Sequence, residues 1–339
     1  MLNIEQKKAP TRHRVLSGMR PTGRLHIGHL FGALDNWVKM QETDDAFFMI
    51  ADLHALTTGF ENSSGIGDNI REVLLDYLVA GVDPHRCTLF LQSQVPEVPM
   101  LSLLLSMIVP VGWLERSPTY KDQIRELGAE IATHGFLGYP VLMTADIILF
   151  KADQVPVGQD QVAHLELTRE IVRRFHHLYQ PVFVEPKARL TEFPSVPGTD
   201  GRKMSKSYGN SIMLSDTTVE KEAKIKTMIT DPRKVYKGDP GRPEICTVYY
   251  FHKIYSQGEL PDIEAGCRSG ALGCTDCKKR LMKTMGEATA PMVEQRLELA
   301  KNPNLVQDVL STGNRKAREV ARQTLGEAQD AMGMARTPA

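Results

Sequence analysis

The sequence predicts an α/β protein in which a parallel-sheet domain is followed by an all-α helical one. Three observations carry this. Arg14–Met19 and Ala46–Ala51 are short apolar runs, each followed by a helical pattern, and Thr88–Leu91 is a third strand candidate. Strands that alternate with helices imply parallel pairing with helices on both faces, a Rossmann-like layering. Past Pro194–Gly198 the strand signals fade and helical periods take over.

Taken in order, the first run leads into SGMRPTGRLHIGHLFGAL, Ser17–Leu34, and Leu30, Leu34, Trp37, Val38 and Gln41 then recur at the period of one helix face. Asp68 suits an N-cap for a helix over 69–80, with Gly81 as its stop. Further on, 217–230 and 284–300 are helical in pattern, and 315–334 is a last helix able to fold back on the first domain. The expected organisation is therefore a sheet domain over 1–210, a helical domain over 211–310 and a C-terminal helix within 311–339. No repeat or low-complexity tract interrupts it. In such sheets ligands bind beyond the carboxyl ends of the strands, which places Gly18–His29 at a binding crevice.

Composition narrows the function. Lys+Arg and Asp+Glu both number 41, so there is no global basic field, and any RNA contact must rely on local patches. The first fourteen residues are polar and basic, and no run approaches the roughly 20 apolar residues of a membrane span. A cytoplasmic protein without a membrane partner is expected. Five cysteines without a secretion signal point to thiols or metal ligands rather than disulfides.

Two phosphate-binding motifs are excluded. Gly18 and Gly23 have P-loop spacing, but Arg24 and Leu25 stand where Lys and Ser or Thr are required; Gly65-Ile-Gly67 lacks the third glycine of a dinucleotide fingerprint. What remains is His26-Ile-Gly28-His29. The two histidines, three apart at a helix start, share one face near the positive end of the helix dipole, a setting for a polyphosphate, and Gly28 leaves room for a flat ring. Far downstream, Lys203-Met204-Ser205-Lys206-Ser207, flanked by Gly198, Gly201 and Gly209, reads as a mobile loop with two cations able to neutralise a departing pyrophosphate.

HIGH followed by KMSKS resembles the class I aminoacyl-tRNA synthetases. SGMRPTG (17–23), YPVLMTADIILF (139–150), VPVGQDQ (155–161) and HLELTREI (164–171) are together similar to the bacterial tryptophanyl-tRNA synthetases, over nearly the whole chain. The resemblance implies activation of L-tryptophan by ATP with Mg2+ to an adenylate, transfer to tRNA(Trp), an anticodon-binding helical domain and a homodimer. It makes His26, His29, Lys203 and Lys206 catalytic, and places Arg20, Pro21, Thr22, Gly28, His29, Gly158, Gln159, Asp160 and Lys203 to Ser207 around ATP. Arg20 departs from the Gln of many relatives, and Lys121 matches a phosphate-facing lysine.

By the same resemblance Asp146 reads the indole. A donor-only indole N–H rewards a carboxylate in an apolar pocket, whereas phenylalanine leaves that carboxylate unpaired. Tyr139, Met143, Val155, Val157 and Gln161 complete that pocket, with Asp52 and His54 as weaker candidates. Tyrosyl-tRNA synthetase, with the same architecture, and a non-catalytic RNA-binding or iron-sensing paralogue are the alternatives.

Cys246, Cys267, Cys274 and Cys277 are separated by 20, 6 and 2 residues. Four thiolates suit Zn2+ or an iron-sulfur cluster, although only the last pair has zinc-ribbon spacing. A subset of the resembled family carries a four-iron, four-sulfur (4Fe-4S) cluster on a similar pattern with a slightly longer first gap. Zinc and unligated thiols stay open, and Cys87 reads as a buried apolar residue. Arg233, Lys234, Lys237, Arg242, Arg268, Lys278, Lys279, Arg280 and Lys283 crowd the same region and form a candidate docking patch for anticodon-arm phosphates.

Overall fold

The computed structural model describes residues 12–116, 118–158, 161–190 and 196–334. Five parallel strands form one sheet in the order β3-β2-β1-β4-β5: β1 Arg14–Met19, β2 Asp45–Ile50, β3 Thr88–Leu91, β4 Gln154–Val157 and β5 Lys187–Leu190. The first three are the expected strands. β2 and β3 are almost wholly buried, as strands covered on both faces must be, so they read as continuous apolar runs. β5 is a polar edge strand of four residues, KARL, which leaves no such trace in the sequence.

Side chains alternate between the two faces. Val15, Phe48 and Ile50 enter one core with Leu34, Trp37 and Leu74, while Leu16, Phe47 and Met49 enter the other with Phe90, Phe150 and Phe175. Trp37 stacks on Phe48 with ring centroids 4.5 Å apart, anchoring α1 (Asp35–Thr43) to the sheet. Helices α2 (Asp52–Gly59), α3 (Ile66–Val79), α4 (Glu97–Ser106), α5 (His134–Leu149) and α6 (Val162–Leu178) complete the layers around the sheet. α3 begins at Ile66 with Gly65 as N-cap, so Asp68 is not the cap but lies in the first turn. Because β1 has β2 on one side and β4 on the other, the strand order reverses beside it, and a crevice opens there.

The helical region holds α7 (Thr218–Thr227), α8 (Thr247–Tyr255), α9 (Leu260–Ser269) and α10 (Cys274–Ala300). α7 starts with a reciprocal capping box between Thr217 and Glu220. α10 begins ten residues before the expected 284, with Cys274 and Cys277 in its opening turn, and α8 and α9 are additions to the expected elements. α10 packs on α7 and α8 and reaches α3. Among the described residues no helix is long and apolar enough to cross a membrane.

α11 (Leu305–Ala331) starts ten residues before the expected 315 and lies across β3, α4 and α5. Its contact with β3 is backbone on backbone: a Cβ at Gly313 would come within 1.8 Å of the Leu89 carbonyl oxygen. The neighbouring Asn314 Oδ1 accepts the Leu91 N–H at 2.9 Å. The exposed edge of the sheet is thereby covered and partly hydrogen-bonded. Gly313→Ala is expected to lower stability by at least the roughly 1–3 kcal/mol typical of overpacking, because the obstacle is a strand backbone rather than a movable side chain. A urea-unfolding midpoint equal to that of the native protein would show that α11 slides freely on β3.

Candidate active site

Two parts of the site meet at the carboxyl end of β1. The first is built by pairing segments distant in sequence. After β1 the chain turns through Arg20 to Gly23, where Gly23 adopts φ +99°, and then runs extended to His26. Ile27 N–H donates to the Ile212 carbonyl at 2.9 Å, and Leu214 N–H donates to the Leu25 carbonyl at 2.9 Å. The segment following KMSKS is thus stitched to HIGH. Lys206 Nζ reaches across to donate to the carbonyl of Thr22 at 2.9 Å, its hydroxyl at 3.1 Å and the carbonyl of Gly23 at 3.3 Å.

His26 is the N-cap of the helical turn, and its N–H donates to His29 Nδ1 at 3.2 Å; the two rings lie 3.8 Å apart. Burial, with the Lys206 charge assisting, lowers the His26 imidazole to about 4; burial, His26 and Lys206 lower His29 to about 3. Both rings are neutral at neutral pH. As neutral rings they can each donate one hydrogen bond, and the positive charge beside them is that of Lys206. Lys206 is itself lowered, chiefly by burial and further by Arg20. A Cβ on Gly28 would press to 2.9 Å on the His26 ring, so glycine is required for this close, tilted ring contact. The helix continues as one π-turn, Leu30–Leu34, an irregularity frequent at functional sites.

Lys203 differs. It is exposed, its backbone bridges Pro197, and its carbonyl accepts from Asn210 Nδ2, so it does not join Lys206 at HIGH. Met204 is buried near Gly28, Ser205 and Ser207 share a hydroxyl contact of 2.8 Å, Pro21 is buried and Thr22 exposed. Gln159 and Asp160 lie outside the described residues. Lys121 is exposed on helix Pro118–Leu127 and does not line the cavity described next.

The second part is a cavity of about 450 Å³ beside β1 and β4. The expected Tyr139, Met143, Asp146, Val155, Val157 and Gln161 all line it, as do Arg20 and Gly158. Tyr139 and Asp146 lie on α5, the two valines on β4. Asp146 is 2% exposed; its carboxylate accepts from Gln92 Nε2 at 2.9 Å to each oxygen and meets His54 Nε2 at 2.9 Å. Burial raises its pKa, and the His54 and Gln92 hydrogen bonds oppose that rise. Gln92, directly after β3, escaped sequence reasoning; its place at a strand's carboxyl end was the available signal. Asp52 has another task, as its Oδ1 accepts the Ser93 N–H at 2.9 Å outside the cavity.

In the helical region Cys246 caps α8, Cys267 lies in α9, and Cys274 and Cys277 open α10. Burial and the other three cysteines push the Cys277 thiol up to about 12. A Cβ on Gly241 would come within 2.6 Å of Cys267 Sγ, so the sulfur packs directly against the glycine backbone. Among the described residues no group of three or more His, Cys, Asp or Glu side chains is already arranged to hold a metal ion. Cys87 is buried, and that burial also raises its thiol to about 12.

Much of the expected basic patch has internal partners. Arg242 forks onto the buried Asp231 carboxylate, Lys234 bonds the Asp239 carbonyl, Arg268 pairs with Glu264, and Lys278 donates to the Lys226 carbonyl at 2.7 Å.

The chain matches the family of tRNA synthetases class I (W and Y) over residues 7–289. It is 50% identical to the tryptophan–tRNA ligase of Thermotoga maritima over 95% of this chain and 99% of that one, and 44% identical to that of Aquifex aeolicus over 95% and 100%. It also resembles the crystal structure of tryptophanyl-tRNA synthetase from Campylobacter jejuni complexed with ADP and tryptophan, with a TM-score of 0.88, 33% identity, and coverage of 95% and 100%.

The lowered histidines make stability depend on pH. The unfolded imidazoles take up protons near 6.5, the folded ones only near 4 and 3, so the unfolded chain binds more protons below 6.5. Their contribution is complete above pH 6.5 and drains as pH falls toward 3, by on the order of several kcal/mol for the pair. Urea unfolding at pH 7 and pH 4.5 should show a smaller loss for the His26→Gln, His29→Gln double variant than for the native chain; equal losses would mean the rings titrate normally.

Proposed function

The chain belongs to the class I tRNA synthetases of the tryptophan and tyrosine type, and from this premise we propose how its two joined sites perform tryptophan–tRNA ligation. The observation that carries the reading is a buried carboxylate, Asp146, in an apolar-lined cavity that Arg20 connects to the Lys206 cluster. Tryptophan binds in the cavity with its indole N–H donated to Asp146, which His54 and Gln92 hold in place, between Tyr139, Met143, Val155, Val157 and Gln161. ATP, with Mg2+ on its phosphates, lies along Arg20 to Thr22, Gly28, His29, Gly158 and the KMSKS segment, with Gln159 and Asp160 assigned to the same site by sequence. Lys203 joins the phosphates when the glycine-flanked loop closes.

The tryptophan carboxylate attacks the α-phosphorus, and pyrophosphate departs as the bond to the β-phosphate oxygen breaks. Neutral His26 and His29 donate hydrogen bonds, and Lys206 and Arg20 supply the positive charge. Catalysis is positioning plus charge stabilisation, with no covalent enzyme intermediate. The tRNA terminal hydroxyl then attacks the adenylate carbonyl and releases AMP. A catalytic domain to about 210, a helical anticodon-binding domain and a C-terminal helix fit this reading, with the last boundary moved from 310 to the start of α11 at Leu305 because 310 lies inside that helix. A homodimer is supported by an exposed apolar stripe, Met100, Leu103, Met107 and Val111, on and just after α4.

The four cysteines suit a 4Fe-4S cluster by donor chemistry. Burial, and after it the charge of neighbouring cysteines, raises the Cys246, Cys267 and Cys277 thiols, a conflict that a bound cation relieves. Cys246, Cys267, Cys274 and Cys277 would hold the cluster, which would tie α8, α9 and α10 together.

Asp146→Asn should lower kcat/KM for tryptophan about 10- to 100-fold in tryptophan-dependent ATP–pyrophosphate exchange, the usual worth of a hydrogen bond to a charged acceptor, with KM for ATP unchanged. Exchange driven by tyrosine instead would overturn the substrate assignment. Iron, sulfide and zinc analysis of protein purified without oxygen should give about four irons per chain with broad visible absorption. Stoichiometric zinc would make the site a structural zinc centre, and the absence of both would leave free thiols.

A further inference from the structure

Between the helical region and HIGH lies an ion-pair chain, buried at Asp76 and exposed at Arg24, that the reaction as described does not use. Arg296, near the end of α10, donates from Nε to Asp76 Oδ1 at 2.8 Å and from a terminal nitrogen to Glu72 Oε2 at 2.8 Å. Both acids are on α3, and Asp76 is wholly buried. Its other oxygen accepts the backbone N–H of Leu25 at 2.6 Å, and Glu72 Oε2 also takes Arg24 Nε at 2.7 Å. One arginine of the helical region therefore acts, through two carboxylates, on the two residues immediately before His26.

We infer that Arg296 is a positioning residue of the ATP site: through Asp76 and Glu72 it sets the backbone at Arg24 and Leu25, and so the placement of His26 and His29. The inference rests on the assignment of HIGH to ATP made above. Geometry separates this role from simple support. Asp76 fixes the N–H of the very residue whose carbonyl accepts from Leu214, so the carboxylate holds one side of the peptide strand that joins HIGH to the KMSKS segment. Its negative charge also bears on Lys206, the cation at the same turn. Arg296 lies one turn beyond Pro291 in α10, so a movement of the last turns of that helix must either carry Asp76 along or break the fork. A displacement of about 1 Å at a reacting centre is enough to cost around a hundredfold in rate.

The test is ATP–pyrophosphate exchange with tryptophan and ATP varied separately, alongside thermal unfolding. Arg296→Gln should raise KM for ATP about tenfold and lower kcat, with KM for tryptophan within about twofold of native; Arg296→Lys should recover part of the loss. Removing one partner strands a buried charge, so a second variant, Arg296→Met with Asp76→Leu, replaces the pair by apolar side chains of similar size. It should fold and still show the raised KM for ATP, because the Leu25 N–H is released. Native KM for ATP in this double variant, or equal losses for both substrates that track a fall in melting temperature, would overturn the inference. His29→Ala in the same assay reports on the site itself: an unchanged KM for ATP there refutes the assignment of HIGH to ATP, whereas an impaired His29→Ala beside a native-like double variant refutes the clamp alone.

Discussion

The joining of HIGH to the KMSKS segment depends on two backbone hydrogen bonds, Ile27 N–H to Ile212 and Leu214 N–H to Leu25. They join segments almost two hundred residues apart and turn two unrelated loops into the walls of one crevice. Lys206 can reach the Thr22 and Gly23 carbonyls only because this pairing brings its loop to the end of β1. Closing so long a loop is entropically costly, and the cost is offset by burial of Leu25, Ile27, Met204, Ile212 and Leu214 in the core beneath. Apolar packing and polar chemistry share the same few residues here.

Charge is placed economically around this seam. The histidines are kept neutral by burial and by a neighbouring lysine, so they cannot compete with that lysine for the role of cation. The carboxylate at the far end of the cavity is buried yet held by two polar side chains, which keeps an acceptor aimed into an apolar space. Arg20 stands between the two environments and faces both.

How much of this was legible depended on what each residue must do. β2 and β3 announced themselves because strands buried on both faces have little choice but apolar side chains, and β1 did so through its buried Val15-Leu16 pair and the HIGH stretch it leads into. β5 did not, since a short edge strand can be built from Lys, Ala, Arg and Leu. Tyr139, Met143, Asp146, Val155, Val157 and Gln161 were legible as a set by their resemblance to a known pattern, and they do line one cavity. Gln92 and His54 were weak or silent because a polar residue after a strand has many possible roles until its neighbour is known. The two lysines of KMSKS look equivalent in sequence, yet only Lys206 meets the HIGH turn here. The protonation of His26 and His29 was invisible for a further reason: it follows from burial and from a lysine far along the chain.

The covering of β3 by α11 has a consequence for how the protein is made. Until residues 305–331 have left the ribosome, the Leu91 N–H lacks its Asn314 partner and the outer strand of an otherwise formed sheet stands bare. Such an edge is a template for pairing with another nascent chain. Gly313 lets the last helix settle against it at backbone distance, so the segment synthesised late serves as a seal that ends the period of aggregation risk.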